Sequence, residues 1–157
     1  MKRESFRKGM KDGVPIALGY FAVSFTFGMM AVAGGLSIWQ AALISLTNLT
    51  SAGQFAGLDI IFAGGSMWEM AMTQLIINLR YCLMSFSLSQ KFRREESGIL
   101  KYIAAFGITD EIFGISAAQE GKVSVFYNYG AMCVAIPGWT LGTLAGGISG
   151  SLCRILA

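Results

Sequence analysis

Polar side chains cluster inside an apolar stretch that runs from residue 39 to residue 63. Seven consecutive residues hold four of them, those of Asn48, Thr50, Ser51 and Gln54. Amide and hydroxyl groups in such surroundings need hydrogen-bond partners, and a polar solute can supply them. Gly53 lies within the cluster and would let a ligand approach the backbone closely. The alternative is a kinked helix whose polar side chains bond only to neighbouring helices.

A second set of polar side chains follows between residues 74 and 85. Gln74, Asn78, Tyr81 and Ser85 are spaced as one stripe along a helix. Asn78 and Tyr81 are therefore further candidates for substrate binding, together with Asn48, Ser51, Gly53 and Gln54.

Charged side chains occur in the middle of two apolar segments. Arg80 is central in residues 68–90, and Asp110 and Glu111 are central in residues 100–119. Two antiparallel helices joined by the intervening loop would bring these charges to a similar depth, so we expect Arg80 to pair with one carboxylate. The other would then lack a cation, favour its protonated form and be suited to carrying a proton. A purely structural ion pair beside a neutral acid is the alternative.

Composition identifies the class of protein that these residues belong to. The chain is 54% hydrophobic and only 13% charged, whereas soluble domains carry about 25% charged residues. We predict an all-α integral membrane protein. Histidine is absent, which removes Ser-His-Asp catalysis and most zinc sites. We therefore expect no enzyme activity, metal or cofactor, and no nucleic-acid partner.

The elements that must position the candidates are apolar segments within a single transmembrane domain. We predict a cytoplasmic N-terminal tail at 1–12 and membrane segments at about 13–36, 39–63, 68–90, 100–119 and 124–152. A spanning helix needs about 20 residues. Residues 39–49 would form a leg of about 16 Å, roughly half of the hydrocarbon core.

Charge predicts how these segments are arranged. Lys and Arg prefer the cytoplasmic side, and nine of the twelve lie in residues 1–11 and 91–101. If 39–63 spans the membrane, the positive charges divide almost evenly between the two sides. If it enters from outside and turns back as a broken, re-entrant helical pair, ten lie inside and only Lys122 lies outside. We therefore predict the re-entrant pair, with the polar cluster at its tip and the 64–67 turn outside.

The last segment carries glycines at strict four-residue spacing, namely Gly138, Gly142, Gly146 and Gly150. Such a stripe is typical of close helix packing. Pro137 precedes the stripe and is expected to kink or break the helix. The stretches 26–37 and 140–150 are faintly alike, and the predicted arrangement makes their helices antiparallel, as an inverted repeat requires.

Several motifs stand together in one order along the chain. They are "PIALGYFAVSFTFG" at 15–28, "SAGQFA" at 51–56, "NLRY" at 78–81, "TDE" at 109–111 and "GWTLGTLAGG" at 138–147. The chain thereby resembles the AzlC family, the larger subunit of two-component branched-chain amino acid exporters. Members of that family are usually longer than this chain, which ends just after an apolar segment. The resemblance leaves open a truncation at the C-terminal end.

The resemblance implies a function and partners. It implies export of branched-chain amino acids or analogues, driven by the proton gradient, from the cell membrane of a prokaryote. It also implies a small AzlD-type membrane subunit. Membrane lipid and a second copy of the chain are further expected partners. A channel or pore subunit and a non-transporting membrane scaffold are the alternatives.

Overall fold

The computed structural model describes residues 2–93, 96 and 98–156, and among these all regular secondary structure is helical. In chain order the helices are α1 Lys2–Ala33, α2 Ile38–Thr47, α3 Ser51–Phe62, α4 Met67–Lys91, α5 Gly98–Phe106, α6 Asp110–Ala117 and α7 Val125–Leu156. The prediction of an all-α chain is confirmed.

Helix starts follow local capping rules. Ser37 and Gln40 form a reciprocal capping box at the start of α2. Ser66 and Glu69 do the same before α4, since the Ser66 N–H donates to Glu69 Oε2 at 2.7 Å and the Glu69 N–H donates to Ser66 Oγ at 3.2 Å. Gly64 ends the preceding turn with φ of +66°, a conformation that favours glycine. The 63–66 turn is therefore sharply defined.

The apolar segment at 39–63 is interrupted where the polar cluster lies. Helix α2 ends at Thr47, and Asn48 and Thr50 have extended backbones before α3 begins at Ser51. The chain reverses enough to bring Gln54 Nε2 to 3.4 Å from Ser45 Oγ. Ala41 and Leu58, on either side of the break, share one core cluster.

A second break occurs where a continuous segment was predicted. Residues 100–119 are not one helix, because α5 ends at Phe106 and α6 begins at Asp110. Thr109 is the N-cap of α6 and accepts a hydrogen bond from the Ile112 N–H. Asp110 and Glu111 then occupy the first turn, where the helix dipole favours acidic groups. Local capping thus outweighs the uniform hydropathy of the segment.

The chain forms two compact units, each of which contains part of α1, α4 and α7 and one broken pair. Unit 1 comprises Met1–Ala17 and Arg80–Ile136, with α5 and α6. Unit 2 comprises Leu18–Leu79 and Pro137–Ala157, with α2 and α3. The prediction of a single transmembrane domain stays a prediction.

In unit 1, the broken pair returns to the end from which it started. Lys91 Nζ at the end of α4 donates to the Ala117 carbonyl at the end of α6. Lys122 Nζ donates to the Gln90 carbonyl at 2.7 Å. The expectation that Lys122 lies opposite the 91–101 loop is therefore wrong, because the break turns the chain back. Arg94 of that loop lies outside the described residues.

The unit 1 core lies between these elements. Its buried residues are Leu88, Phe92, Ala104, Ile108 and Val125.

The predicted antiparallel arrangement of the first and last segments is also wrong. In unit 1, Gly9 packs against the carbonyl of Tyr127 and Gly13 packs against Ala131. In unit 2, Gly142 packs against Phe21 and Gly146 packs against Phe25. Positions rise together on α1 and α7 in each unit, so the two helices run parallel.

Three glycines of the predicted stripe face α1 in unit 2, since Gly150 packs against Met29 in the same way as Gly142 and Gly146. A Cβ at Gly142 would lie 2.4 Å from the Phe21 carbonyl oxygen, too close for any side chain. Gly138 lies in the same helix, one turn before them. We expected Pro137 to kink or break the helix. It does not break the helix, because α7 continues through Pro137.

Helix α1 already begins at Lys2, so the described part of the predicted N-terminal tail is helical, and its cytoplasmic location stays a prediction. By length and composition, Lys2–Ala33 and Val125–Cys153 are the described helices that are apolar enough to cross a membrane. Helix α4 has 25 residues, but its sequence is less apolar because it contains polar side chains, including those of Gln74, Asn78 and Arg80.

Candidate functional site

The break between α2 and α3 is held by short polar contacts. The Asn48 N–H donates to the Ile44 carbonyl at 2.8 Å and ends α2. Asn48 Oδ1 accepts from the Thr50 N–H at 3.3 Å and from Thr50 Oγ1 at 3.0 Å. An Asn side chain that bonds two residues ahead stabilises a turn. Asn48 therefore shapes the break itself.

Gln54 is enclosed in a buried hydrogen-bond network in unit 2. Its Nε2 donates to the Asn48 carbonyl at 2.6 Å, and its Oε1 accepts from Trp139 Nε1 at 2.9 Å. The network extends through Ser45 Oγ, which lies 2.7 Å from Thr143 Oγ1. Only 2% of Gln54 is exposed. Its amide thus stabilises the end of α2 and fixes the tip against α7.

A cavity of about 270 Å³ opens beside the break. The wall of the cavity is mainly apolar, and its polar groups lie towards the break. Two glycines also line the cavity. The lining residues are Ile44, Asn48, Gly53, Gln54, Gly57, Leu58, Ile61, Met70 and Gln74. An apolar cavity with a few convergent polar groups is typical of a small-molecule site.

Helix α4 supplies the polar side chains that face α3. Gln74 Nε2 donates to the Gly53 carbonyl at 2.7 Å, and Asn78 Nδ2 donates to Gln74 Oε1 at 3.2 Å. Asn78 Oδ1 is buried and has no hydrogen-bond partner among the described residues. A buried acceptor of this kind is costly to leave unpaired. It is the buried side-chain atom near the break that lacks a partner among the described residues.

Ser51 begins α3 and is half-buried. The N-cap of that helix, Thr50, makes no side-chain capping bond to the first turn. Gly53 has no room for a side chain, because a Cβ there would meet Thr50 Oγ1 and lie 2.7 Å from Gln74 Oε1. The predicted residues Asn48, Ser51, Gly53, Gln54 and Asn78 therefore belong to one region of unit 2. Their roles in substrate binding stay predictions.

Unit 1 contains the expected ion pair. Arg80 Nη1 lies 2.7 Å from Asp110 Oδ2, and both side chains are just under half exposed. Arg80 Nη2 also donates to the Tyr81 hydroxyl at 3.3 Å, and the guanidinium carbon lies 5.0 Å from the centre of the Tyr81 ring. Tyr81, predicted with the substrate stripe, thus contacts Arg80 and packs against the unit 1 core. The proton role of Asp110 and Glu111 stays a prediction.

Two features of the site were not predicted from the sequence. The break before Asp110 had a usable signal, since Thr109 followed by two acidic residues is typical of a helix start. The bond from Trp139 to Gln54 had none, because it joins residues 85 positions apart.

Comparison with known proteins identifies relatives over most of the chain. A family model described as AzlC protein matches residues 15–153. Inner membrane protein YgaZ of Escherichia coli (strain K12) is 30% identical over 151 residues, which are 94% of this chain and 62% of that protein. An uncharacterized membrane protein of Archaeoglobus fulgidus is 33% identical over 92% of this chain and 64% of its own length. Another of Helicobacter pylori (strain ATCC 700392 / 26695) is 29% identical over 93% and 66%.

The relatives that match are membrane proteins, and this chain is one as well. It spans slightly less than two thirds of their length. No solved structure matches the chain.

Proposed function

The chain belongs to the AzlC family, and from that premise we propose that it is the larger subunit of an exporter of branched-chain amino acids. In this proposal it is a multi-pass protein of a prokaryotic cell membrane and not an enzyme. It works with a small AzlD-type membrane subunit, and the proton gradient drives transport.

The observation that carries the proposal is the cavity beside the α2–α3 break. Its apolar wall, with Ile44, Leu58 and Ile61, suits a branched aliphatic side chain. Its polar end suits the ammonium and carboxylate groups of a zwitterion, because such groups must remain hydrogen-bonded when they leave water. The uncapped first turn of α3 would bind the carboxylate. Asn78 does not line the cavity, but its unpaired acceptor lies behind Gln74, which does, and would receive the ammonium after a small movement of that side chain.

Membrane topology follows from charge. We place the N-terminus and the 91–101 loop in the cytoplasm, so that α2–α3 enters from outside and α5–α6 enters from inside. Ten of the twelve Lys and Arg residues then lie inside, Arg154 lies outside and Arg80 lies within the membrane. The contacts of Lys8 with Gln119 and of Lys122 with the Gln90 carbonyl support this arrangement, because they gather these segments at one end of unit 1. Irregular backbone at membrane depth is tolerated where it lines a cavity.

The Arg80–Asp110 pair is the proposed charge network for proton coupling. A charged group in the middle of a membrane segment is costly unless it is paired or hydrated. Both side chains are partly exposed, and in this proposal water reaches the pair and exchanges protons with Asp110. Glu111, the next residue of α6, is the second candidate acid.

Flux measurements distinguish this proposal from its alternatives. The chain and its small partner would be reconstituted into liposomes loaded with labelled leucine, with and without an imposed pH gradient. An exporter gives saturable efflux that the pH gradient accelerates. Flux that does not saturate and ignores the pH gradient would indicate a channel subunit, and no flux above protein-free liposomes would indicate a scaffold.

A further inference from the structure

A basic cavity lies in unit 1, whereas the proposed transport cavity belongs to unit 2. The basic cavity has a volume of about 150 Å³, well above the 10–15 Å³ that one water needs. Its charged lining residues are Lys8, Arg93, Glu120 and Lys122, and Ser5, Gln119 and Ser124 add polar groups. Three cations against one carboxylate leave a net positive charge.

The local acids are largely committed elsewhere. Glu96 accepts from Ser124 Oγ at 2.6 Å and from the Val125 N–H at 2.7 Å, at the start of α7. Asp12 accepts from the Tyr127 hydroxyl at 2.8 Å. Among the residues that the structure describes, Glu120 is the one acid that lines the cavity, so the described acids do not balance the cations.

Arg93 is the group that points most clearly to a ligand. Its backbone N–H bonds to the Val123 carbonyl at 3.1 Å and fixes the residue in place. Arg93 is half-buried, and its side chain makes no hydrogen bond or ion pair to a described residue. A partly desolvated guanidinium normally has a partner, and its planar fork matches the oxygens of a phosphate.

The other two cations, Lys8 and Lys122, are held in place by protein contacts and can also donate to a bound anion. Lys8 Nζ donates to Gln119 Oε1 and lies 5.9 Å from the centre of the Tyr127 ring. Lys122 Nζ is fixed on the Gln90 carbonyl. Each ammonium has three N–H groups, so both retain donors for an anion.

We infer that this cavity binds the phosphate of an anionic phospholipid of the cytoplasmic leaflet. A lipid is favoured over a soluble phosphate because α1 carries exposed apolar side chains just beyond the basic residues. Met10 and Val14 are 39% and 46% exposed, and Val14 lies roughly 9 Å along the helix from Lys8. Acyl chains would lie along this apolar surface while the phosphate occupies the cavity. Basic sites of this kind at the cytoplasmic ends of helices bind acidic headgroups.

The experiment compares lipid retention by the full chain in bilayers of defined composition. The chain would be placed in nanodiscs of phosphatidylcholine with increasing phosphatidylglycerol, and bound lipid would be counted by native mass spectrometry. Arg93→Gln should weaken phosphatidylglycerol binding about fivefold to tenfold. Lys11→Gln is the matched control, because it removes one positive charge from the same unit at a residue that does not line the cavity, and it should change binding less than twofold.

Other outcomes overturn the inference. Equal losses in both variants would mean that unit 1 binds acidic lipid by its surface charge alone. Displacement of phosphatidylglycerol by millimolar inorganic phosphate would mean that the cavity takes a soluble anion. Arg93→Lys keeps the charge and should retain most of the binding, which separates a binding defect from misfolding.

Discussion

Gly57 offers the sharpest test of the cavity beside the α2–α3 break. It is buried and lines that cavity. A Cβ built there would lie 3.5 Å from Gln74 Nε2 and 3.7 Å from Met70 Sδ, which are ordinary contacts. Gly57→Ala would therefore add a methyl group to the cavity wall without displacing its neighbours.

The size of the effect follows from the space removed. One methylene in an apolar pocket is worth about 1–3 kcal/mol of discrimination. The cavity holds about 270 Å³, so a single methyl should narrow it without filling it, and we expect the lower end of that range. Leucine and isoleucine export should fall about tenfold, while export of alanine should be little changed. Gly57 lies inside α3, where alanine stabilises a helix by about 0.5–1 kcal/mol, so lost folding would not explain the result.

The assay is competition for efflux between a branched and a small amino acid at subsaturating concentrations. Gly19→Ala is the matched control, because a Cβ at Gly19 would meet nothing within 4 Å. It should leave the ratio of leucine to alanine export unchanged. If Gly57→Ala reduces both substrates equally, or neither, the cavity does not accept the side chain and the reasoning is refuted.

Three further outcomes are expected. Gln54→Ala should reduce thermal stability in detergent by about 1–3 kcal/mol as well as export, because a buried network loses its centre; unchanged stability would contradict the structural role. Arg80→Ala should lower the yield of folded protein, and adding Asp110→Asn should restore part of it, because the second change removes the carboxylate left unpaired; a double variant worse than both single variants would argue against the pairing. In a cysteine-free variant, a cysteine at Ser66 should react with an impermeant thiol reagent in intact cells, and a cysteine at Glu120 should react only after the inner face is exposed; the opposite pattern would reject the proposed topology.

The sequence predicted the first break because its polar residues are conspicuous. An apolar stretch is interrupted by Asn48, Thr50, Ser51 and Gln54. Burying polar side chains without hydrogen-bond partners costs free energy, so the cluster indicates that the helix is interrupted there. The pairing of Arg80 with a carboxylate was predictable for a similar reason, since an isolated charge in an apolar segment requires a partner.

The second break was missed because its residues do not change the hydropathy of the segment. Gly107 and Ile108 are as compatible with a spanning helix as with a turn, and only the Thr109 cap marks the new start. That omission had a consequence, since treating 100–119 as a span reversed the direction expected for α7. The count of positive charges did not reveal this error. If Lys122 and Arg154 exchange sides of the membrane, ten Lys and Arg residues still lie inside and one lies outside.

The role of Gln54 was beyond prediction for another reason. Its amide was read as a group for substrate, but its partners are the Asn48 carbonyl and Trp139. Such long-range pairings depend on how helices pack and leave no local pattern. The spare acceptor of Asn78 is likewise a property of the folded chain.

The proposed export requires that a branched-chain amino acid enters the cavity of unit 2. Ile61 lines that cavity and is 44% exposed, so a cysteine at this position can be labelled. In a variant lacking Cys82, Cys133 and Cys153, we predict that leucine, isoleucine or valine slows the labelling of Ile61→Cys as its concentration rises, whereas aspartate does not. A cysteine at Trp39, which is 78% exposed and outside the cavity, should be labelled at the same rate throughout. Export of leucine without any protection of Ile61→Cys would contradict the account.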